Sequence, residues 1–329
     1  MADARSRTID ALKGIAILIV MAGHVLSWNH MEDGYIYDAV KVIQMPLFML
    51  VSGYVCGIGR RIKNLAGYGA VLKKRMLAYL VPFFFWIVVQ HPLHPFTSIK
   101  EVLFALDKGL WFLMTLFLLN LMTYTSQLVS AKAKGFEKQV FWLVYMGFGA
   151  SVVLETYLGW EFLSPGLTRL YFPFYVIGYA AGECKEKIER IPTAVKGAVF
   201  WISATGLVLL VIFYDLLDVG SPLLLGRQLF ASVLGCYVVT YLIALCKDGK
   251  GKRFLTWLGH YTLEIYVLHF HFAAILNQGK SYELYTWKGL FFVLASFTVM
   301  SLITAGIIIV TKQVPLLDLF LYGKIQKKK

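Results

Sequence analysis

The chain has 329 residues, of which 58% are hydrophobic and only 16% are charged, and its mean hydropathy is +0.66. A soluble domain of ordinary composition carries about 25% charged residues. These values exclude a disordered chain and a disulfide-stapled mini-protein, and they argue against a soluble enzyme, whose surface needs more charge. The remaining class is a polytopic membrane protein.

Uncharged stretches of membrane-spanning length recur along the whole chain. A spanning helix needs about 20 apolar residues. Seven stretches of 18 to 24 residues contain no Asp, Glu, Lys or Arg: residues 14–31, 42–59, 76–99, 109–131, 197–214, 228–246 and 289–311. Three more spans are expected at residues 139–154, 167–184 and 254–279. The sequence therefore predicts an all-α bundle of about ten transmembrane helices. We expect residues 1–329 to form a single transmembrane domain that ends in a basic cytoplasmic tail over residues 312–329.

The basic residues fall on one side of this predicted bundle. If the first residues are cytoplasmic, the segments on that side hold 25 of the 32 Lys and Arg residues, and the opposite side holds 7. Cytoplasmic loops of membrane proteins carry such an excess, so both termini are predicted to be cytoplasmic. The net charge of +13 then reflects short loops beside anionic lipid, and no nucleic-acid partner is expected.

The four cysteines have no spacing typical of a metal site or of a disulfide framework. Cys56, Cys184 and Cys246 fall near predicted helix ends, and Cys236 falls inside a span. We therefore expect no bound metal.

Two histidines and one carboxylate are predicted at membrane depth, where an ionisable group is costly and is a functional candidate. At ~1.5 Å per residue, His24 on the first helix and His269 on the ninth each lie about 21–22 Å from the cytoplasmic end of their helix. Glu264 is five residues before His269. The simpler alternatives are hydrogen-bonded packing histidines and a structural ion pair for Glu264, for example with Lys13.

Other polar or aromatic residues in the spans have a functional and a structural interpretation. Ser52 and Asn120 are suited to helix–helix hydrogen bonds, and Gly53 to close packing. Trp111 and Arg169, at predicted outer helix ends, are also typical of an interfacial anchor and of a snorkelling cation.

Five segments occur together in one order along the chain. They are RTIDALKG (7–14) with its apolar run to His24, PLFMLVSGY (46–54), LWFL (110–113), FPFYVIGY (172–179) and LGHYTLEIYVLH (258–269). Over about residues 7–311, these segments resemble the membrane acyltransferase-3 family, and most closely its branch related to fucose 4-O-acetylases.

The resemblance implies an enzyme that takes an acyl group, usually acetyl, from cytoplasmic acyl-CoA. The acceptor is a sugar hydroxyl on an envelope glycan, a glycolipid or a related molecule, and the location is a bacterial inner or plasma membrane. The family pattern on the first helix is an arginine, ten residues and a histidine. Lys13 and His24 fit that spacing, with a lysine that lacks the planar fork of arginine. The arginine that many members carry after Ser-Gly in the second helix is absent, and Arg60 or Arg61 are its only nearby substitutes.

Site residues follow from the resemblance and from the needs of acyl transfer. His24 is the expected base, or the carrier of a transient acyl group, and Glu264 or His269 is expected to orient its ring. Residues expected to contact the substrate are Ser52, Tyr54, Trp111, Asn120, Arg169 and Tyr266. Cations expected to bind the phosphates of acetyl-CoA are Lys13, Arg60, Arg61, Lys74 and Arg75, for which topology alone is an equal explanation.

Two other classes of function stay open at this level. A transporter or exporter of a glycan or acyl substrate can use His24, Glu264 and His269 as a proton relay. A non-catalytic member of the family can serve as a sensor.

Overall fold

A computed structural model describes residues 2–32, 34–279 and 282–325, with side chains from Arg7 onward. This part of the chain is helical and contains no strand, so the predicted all-α fold is confirmed. In chain order its α-helices are α1 (Ala2–Trp28), α2 (Tyr35–Gly57), α3 (Leu65–Arg75), α4 (Val81–Gln90), α5 (Pro95–Phe104), α6 (Trp111–Ser130), α7 (Glu137–Tyr157), α8 (Pro165–Glu183), α9 (Lys185–Arg190), α10 (Thr193–Phe213), α11 (Pro222–Leu245), α12 (Lys250–Gly259), α13 (Thr262–Leu268), α14 (Trp287–Thr311) and α15 (Pro315–Tyr322).

Seven helices in the described residues are long and apolar enough to cross a membrane. They are α1 from Arg7 onward, α2, α6, α7, α10, α11 and α14. A polytopic membrane protein is therefore confirmed, although the sequence predicts ten spans. The predicted span at 167–184 is one helix, α8, but it is not among these seven.

The predicted span at residues 76–99 is not a single helix. A π-helical segment, Met76–Leu80, leads into α4, which ends at Gln90, and α5 begins at Pro95. Pro92 and Pro95 account for the break, because proline lacks an amide hydrogen and disfavours a helical residue before it.

The predicted continuous helix over residues 254–279 is wrong. The chain turns at His260 and Tyr261 between α12 and α13, and a 3₁₀ segment, His269–Phe272, follows α13. Gly259 lies just before this turn and is in close contact with α1. A Cβ atom at Gly259 would overlap the backbone oxygen of Asp10. The close packing of α12 on α1 thus depends on a small residue at the point where α12 ends.

The described residues divide into two compact units. The first combines Met1–Ile58 with Phe174–Ile308, and the second combines Gly59–Pro173 with Ile309–Lys329.

In the first unit, α2 packs closely against the second half of α8. Four glycines, spaced by four residues within each helix, line the contact: Gly53, Gly57, Gly178 and Gly182. A Cβ atom at Gly53 would overlap the Tyr175 carbonyl oxygen, and one at Gly178 would overlap that of Leu50. Small residues at this spacing let helix backbones approach in membranes. The close-packing interpretation of Gly53 therefore agrees with the structure.

In the second unit, α15 occupies part of the predicted basic tail. Its Tyr322 hydroxyl hydrogen-bonds Thr311 at 2.8 Å, and Trp86 Nε1 donates to the Leu321 carbonyl at 3.2 Å. Gly323 ends the helix with φ of 65°, the left-handed conformation that glycine adopts readily. Residues 315–322 of the predicted basic tail thus form a packed helix, and residues 326–329 lie outside the described residues.

Candidate functional site

Two imidazoles meet in the first unit. The ring centroids of His24 and His269 are 5.0 Å apart, and the rings are inclined at 63°, an edge-on contact. His24 lies on α1, and His269 follows α13 directly. Three contacts join the segment around α13 to α1: Gly259 lies against Asp10, His269 against His24, and the Ala273 carbonyl accepts a hydrogen bond from Asn29 just after α1. Because these contacts follow the same order in both segments, α13 runs in the direction of α1. The sequence predicts this parallel course, although it predicts one straight helix.

The two imidazoles differ in burial and in the way that each is held. His269 is fully buried, whereas His24 is half-buried. Nδ1 of His269 lies 2.7 Å from the Ile265 carbonyl oxygen, which only accepts hydrogen bonds, so Nδ1 carries the hydrogen and donates it. In the neutral ring the lone pair therefore belongs to Nε2. Within the described residues, this buried Nε2 has no hydrogen-bond partner.

An asparagine that the sequence analysis missed fixes the end of this site. Nδ2 of Asn29 donates to the Val25 carbonyl at 2.7 Å and to the Ala273 carbonyl at 2.9 Å. Asn29 is 1% exposed. It ties the last turn of α1 to the segment that carries His269. A polar residue five positions after His24 is the only sequence signal for this role.

Gln44 of α2 is a second missed residue. It is buried, and a Cβ atom at Gly23 would overlap its Oε1. Glycine immediately before His24 therefore lets an amide of α2 reach the backbone of α1.

Glu264 and Tyr266 are both buried on α13. Glu264 lies in the first turn, where a carboxylate interacts favourably with the helix dipole. The Tyr266 ring centroid is 6.3 Å from that of His269. Tyr266 is thus near the imidazole pair. Glu264 lies on α13 five residues before His269.

The predicted phosphate-binding cations differ in their surroundings. Arg60 and Lys74 are exposed in the second unit. In the same unit, the guanidinium of Arg61 is 5.5 Å from the Phe141 ring centroid.

Arg75 is held by hydroxyl groups. It donates to Tyr124 at 3.1 Å and to Tyr79 at 3.2 Å. Lys13 belongs to the first unit and pairs with Asp10 at 3.1 Å. Arg60, Arg61 and Lys74 are thus the exposed members of the group, and among these Arg61 lies beside an aromatic ring.

Of the predicted substrate residues of the second unit, Asn120 and Trp111 are satisfied or packed locally, and Arg169 is not. Asn120 donates to the Leu116 carbonyl of its own helix at 2.7 Å. Trp111 stacks on Tyr171, with ring centroids 5.0 Å apart and an angle of 22°. Arg169 is half-buried, and its Nε has no hydrogen-bond partner in the described residues.

Ser52 and Tyr54 belong to the first unit, where both are partly buried on α2 beside the glycine contact with α8. Among the residues that the structure describes, no group of three His, Cys, Asp or Glu side chains is placed to hold a metal ion, and all four cysteines are free thiols.

Apolar helices of spanning length, one of which carries His24 against the buried ring of His269, define a polytopic membrane protein with an ionisable site. The chain belongs to the acyltransferase-3 family: the model of its acyltransferase domain matches residues 7–310, nearly the whole chain. The resemblance found in the five segments is thereby confirmed, and the chain is a membrane protein of the acyltransferase-3 family.

Two curated relatives are similar to parts of this chain. The nodulation protein NolL of Mesorhizobium japonicum is 23% identical over 198 residues, which cover 53% of this chain and 47% of the relative. The nodulation protein NolL of Sinorhizobium fredii is 30% identical over 91 residues, which cover 26% of this chain and 24% of the relative. The chain thus matches less than half the length of either relative. No solved structure matches it.

Proposed function

We propose that this membrane acyltransferase moves an acetyl group from cytoplasmic acetyl-CoA to a hydroxyl of a sugar. The sugar belongs to an envelope glycan, a glycolipid or a related acceptor, at a bacterial inner or plasma membrane. The observation that carries the proposal is the contact between His24 and His269 in a chain of this family. An imidazole is suited to this chemistry because its ordinary pKa is near neutrality.

Acyl transfer from a thioester needs a group that takes the proton of the attacking hydroxyl. We assign that role to His24, because its half-buried ring is accessible, whereas His269 is enclosed. As the acceptor oxygen bonds to the acyl carbon, His24 takes the hydroxyl proton. The carbon–sulfur bond then breaks, and the imidazolium returns the proton to the CoA sulfur. In a second route His24 carries the acyl group transiently before the hydroxyl attacks.

His269 is the proposed positioning residue for His24. Its own ring is fixed by the Ile265 carbonyl, so its edge limits the orientations open to His24. Glu264 is the weaker candidate for this role, because it lies on α13 five residues before His269, which is more than one helical turn.

The test is acetyl transfer by the purified protein in lipid nanodiscs, with labelled acetyl-CoA and an envelope glycan extract as acceptor. His24→Ala and His24→Gln are expected to lower kcat by about 10²–10⁴-fold, the usual contribution of a general base. His94→Ala is the control, because His94 is exposed in a loop. Near wild-type transfer by a stable His24→Ala protein would remove the catalytic assignment.

The same experiment separates the enzyme from a proton-coupled transporter that uses His24, Glu264 and His269. An acyltransferase releases one CoA for each acetyl ester formed. A transporter moves its substrate without consuming acetyl-CoA. Absence of CoA release from the wild-type protein, with proton-coupled uptake lost in His24→Ala, would favour the transporter.

A further inference from the structure

A polar cluster lies one helical turn beyond His24 and reaches into α2. We call Ser27, Glu32, Tyr37 and Lys41 the Lys41 cluster. The Ser27 hydroxyl donates to Oε1 of Glu32 at 2.6 Å, and the Tyr37 hydroxyl donates to the same oxygen at 3.1 Å. The Lys41 ammonium is 5.5 Å from the centroid of the Tyr37 ring. The cluster therefore combines a carboxylate, two hydroxyls and an amine beside the catalytic candidate.

Lys41 is unusual because it belongs to a helix of spanning length. A charged group within a spanning helix is costly unless it has a partner or a function. Lys41 is half-buried, and its ammonium has neither a hydrogen bond nor an ion pair within the described ranges. It interacts electrostatically with His24 and with Glu32. An ammonium with three donors is thus carried by α2 directly after Val40, whose side chain lies beside Gly23, the residue before His24.

The cluster leads from solvent toward His24. Glu32 is exposed, Tyr37 is 5% exposed and Lys41 is half-buried. Glu32 already accepts two hydroxyl groups, which is the chemistry by which a carboxylate binds a sugar. Exposed Glu32 and half-buried Lys41 suit an acceptor that enters with part of its surface in water and presents one hydroxyl to His24.

Charge decides which kind of ligand fits. Glu32 interacts with Lys41, and Asp38 lies three residues before Lys41 on α2, so in the described part of this region two carboxylates accompany one ammonium. An anionic ligand such as the CoA phosphates is disfavoured there by like-charge repulsion. A neutral molecule with several hydroxyls can accept from the ammonium and donate to the carboxylate at the same time.

We propose that the Lys41 cluster is the acceptor subsite and binds a neutral, hydroxyl-rich sugar. Lys41 donates to an oxygen next to the hydroxyl that is acylated, and Glu32 accepts from another hydroxyl of the same ring. This proposal rests on the proposed acyltransferase function, because it places that reaction's acceptor beside His24.

The test uses the full chain in nanodiscs, with acetyl-CoA as donor and methyl glycosides of neutral hexoses or of hexuronic acids as acceptors. Lys41→Gln is expected to raise the KM for the neutral glycoside by about 10–100-fold, as the loss of a hydrogen bond from a charged group does. The KM for acetyl-CoA is expected to stay unchanged, and Lys41→Arg is expected to restore part of the acceptor affinity. The hexuronic acid is expected to be the poorer acceptor. Lys288→Gln, at an exposed cation of the same unit, is the control.

Binding without turnover separates this proposal from the proposed function. In a His24→Ala background, the neutral glycoside is expected to raise the thermal unfolding temperature, and Lys41→Gln is expected to abolish that rise. An unchanged acceptor KM in Lys41→Gln overturns the subsite, although loss of transfer in His24→Ala would still support the enzyme. Equal increases of both KM values with a lower unfolding temperature also overturn it, because they indicate a structural role. If no glycoside is acylated and none stabilises the protein, the subsite is likewise wrong.

Discussion

At the scale of single residues, the two histidines of the site are held differently, and this difference is the reason for the different roles that we propose for them. The backbone of α13 holds His269 through the Ile265 carbonyl, and burial leaves its ring no access to solvent. His24 has its ring against that fixed edge and is only half-buried. A fixed imidazole behind an accessible one is the arrangement expected of a positioning residue and a base.

Asn29 gives a test of how this pair is kept in place. Asn29→Ala removes both amide hydrogen bonds and leaves two backbone carbonyls without that donor. We expect a loss of roughly 1–2 kcal/mol in the free energy of unfolding, together with a lower kcat, because the His269 segment loses its tie to α1. Thermal unfolding and acetyl transfer measure the two effects. Gln278→Ala, at an exposed polar residue, is the control, and wild-type values for both quantities in Asn29→Ala would contradict the role.

At the scale of elements, short contacts between helices position the polar residues. Glycines allow α2 to approach α8, and Gly14 and Gly259 allow α12 to approach α1. Gly53 of α2 contacts Tyr175 of α8, and one turn later Gly57 contacts Tyr179. Residue numbers rise together in both helices, so α2 and α8 run parallel. In a bundle whose spans alternate in direction, the second and the sixth predicted spans are parallel too.

The same interface supplies a prediction about packing. Gly178→Ala places a methyl group onto the Leu50 carbonyl, so we expect a loss of about 1–3 kcal/mol in the free energy of unfolding, the usual effect of overpacking. Gly306→Ala is the matched control, because nothing lies within 4 Å of its Cβ position on α14. There the higher helix propensity of alanine is expected to be neutral or stabilising by up to about 1 kcal/mol. Thermal unfolding in detergent compares the two variants, and equal stability of both would contradict the close contact.

At the scale of the whole molecule, the distribution of charge predicts how the chain is oriented and where the donor binds. Both statements depend on loops rather than on the helix contacts. Each therefore needs its own experiment in an intact membrane.

The orientation prediction is tested by labelling single cysteines with an impermeant maleimide, in a background where the four free thiols are replaced. Cysteines at Lys100 and at Glu283, beside Tyr282, are expected to react from outside the cell. Cysteines at Lys132 and Lys250 are expected to react only after lysis, because 25 of the 32 basic residues fall on the predicted cytoplasmic side. All four positions are exposed. Labelling at Lys250 in intact cells would overturn the predicted topology.

The donor prediction concerns Arg60 and Lys74, two of the three exposed members of the predicted phosphate-binding group; the third, Arg61, lies beside the Phe141 ring. Arg60→Glu and Lys74→Glu are expected to raise the KM for acetyl-CoA and to leave the acceptor KM unchanged, because they place negative charge near the CoA phosphates. The effect is expected to weaken as salt rises, since exposed charges are screened over about 8–10 Å. Steady-state kinetics at two ionic strengths measure it, with Lys100→Glu as the control. An unchanged donor KM would leave these residues as determinants of topology only.

The sequence by itself determined the class of the protein, because apolar stretches of spanning length and segments with a fixed order are properties of the chain alone. It also identified His24 and His269 as candidates, although the similar depth predicted for them assumed one continuous helix over residues 254–279. The tertiary structure decided that the two rings touch, that the chain turns after Gly259, that Asn29 ties α1 to the segment of His269, and that Lys41 lies over the Tyr37 ring. Those features depend on contacts between residues up to 249 positions apart, from Asp10 to Gly259, and helix periodicity says nothing about such contacts.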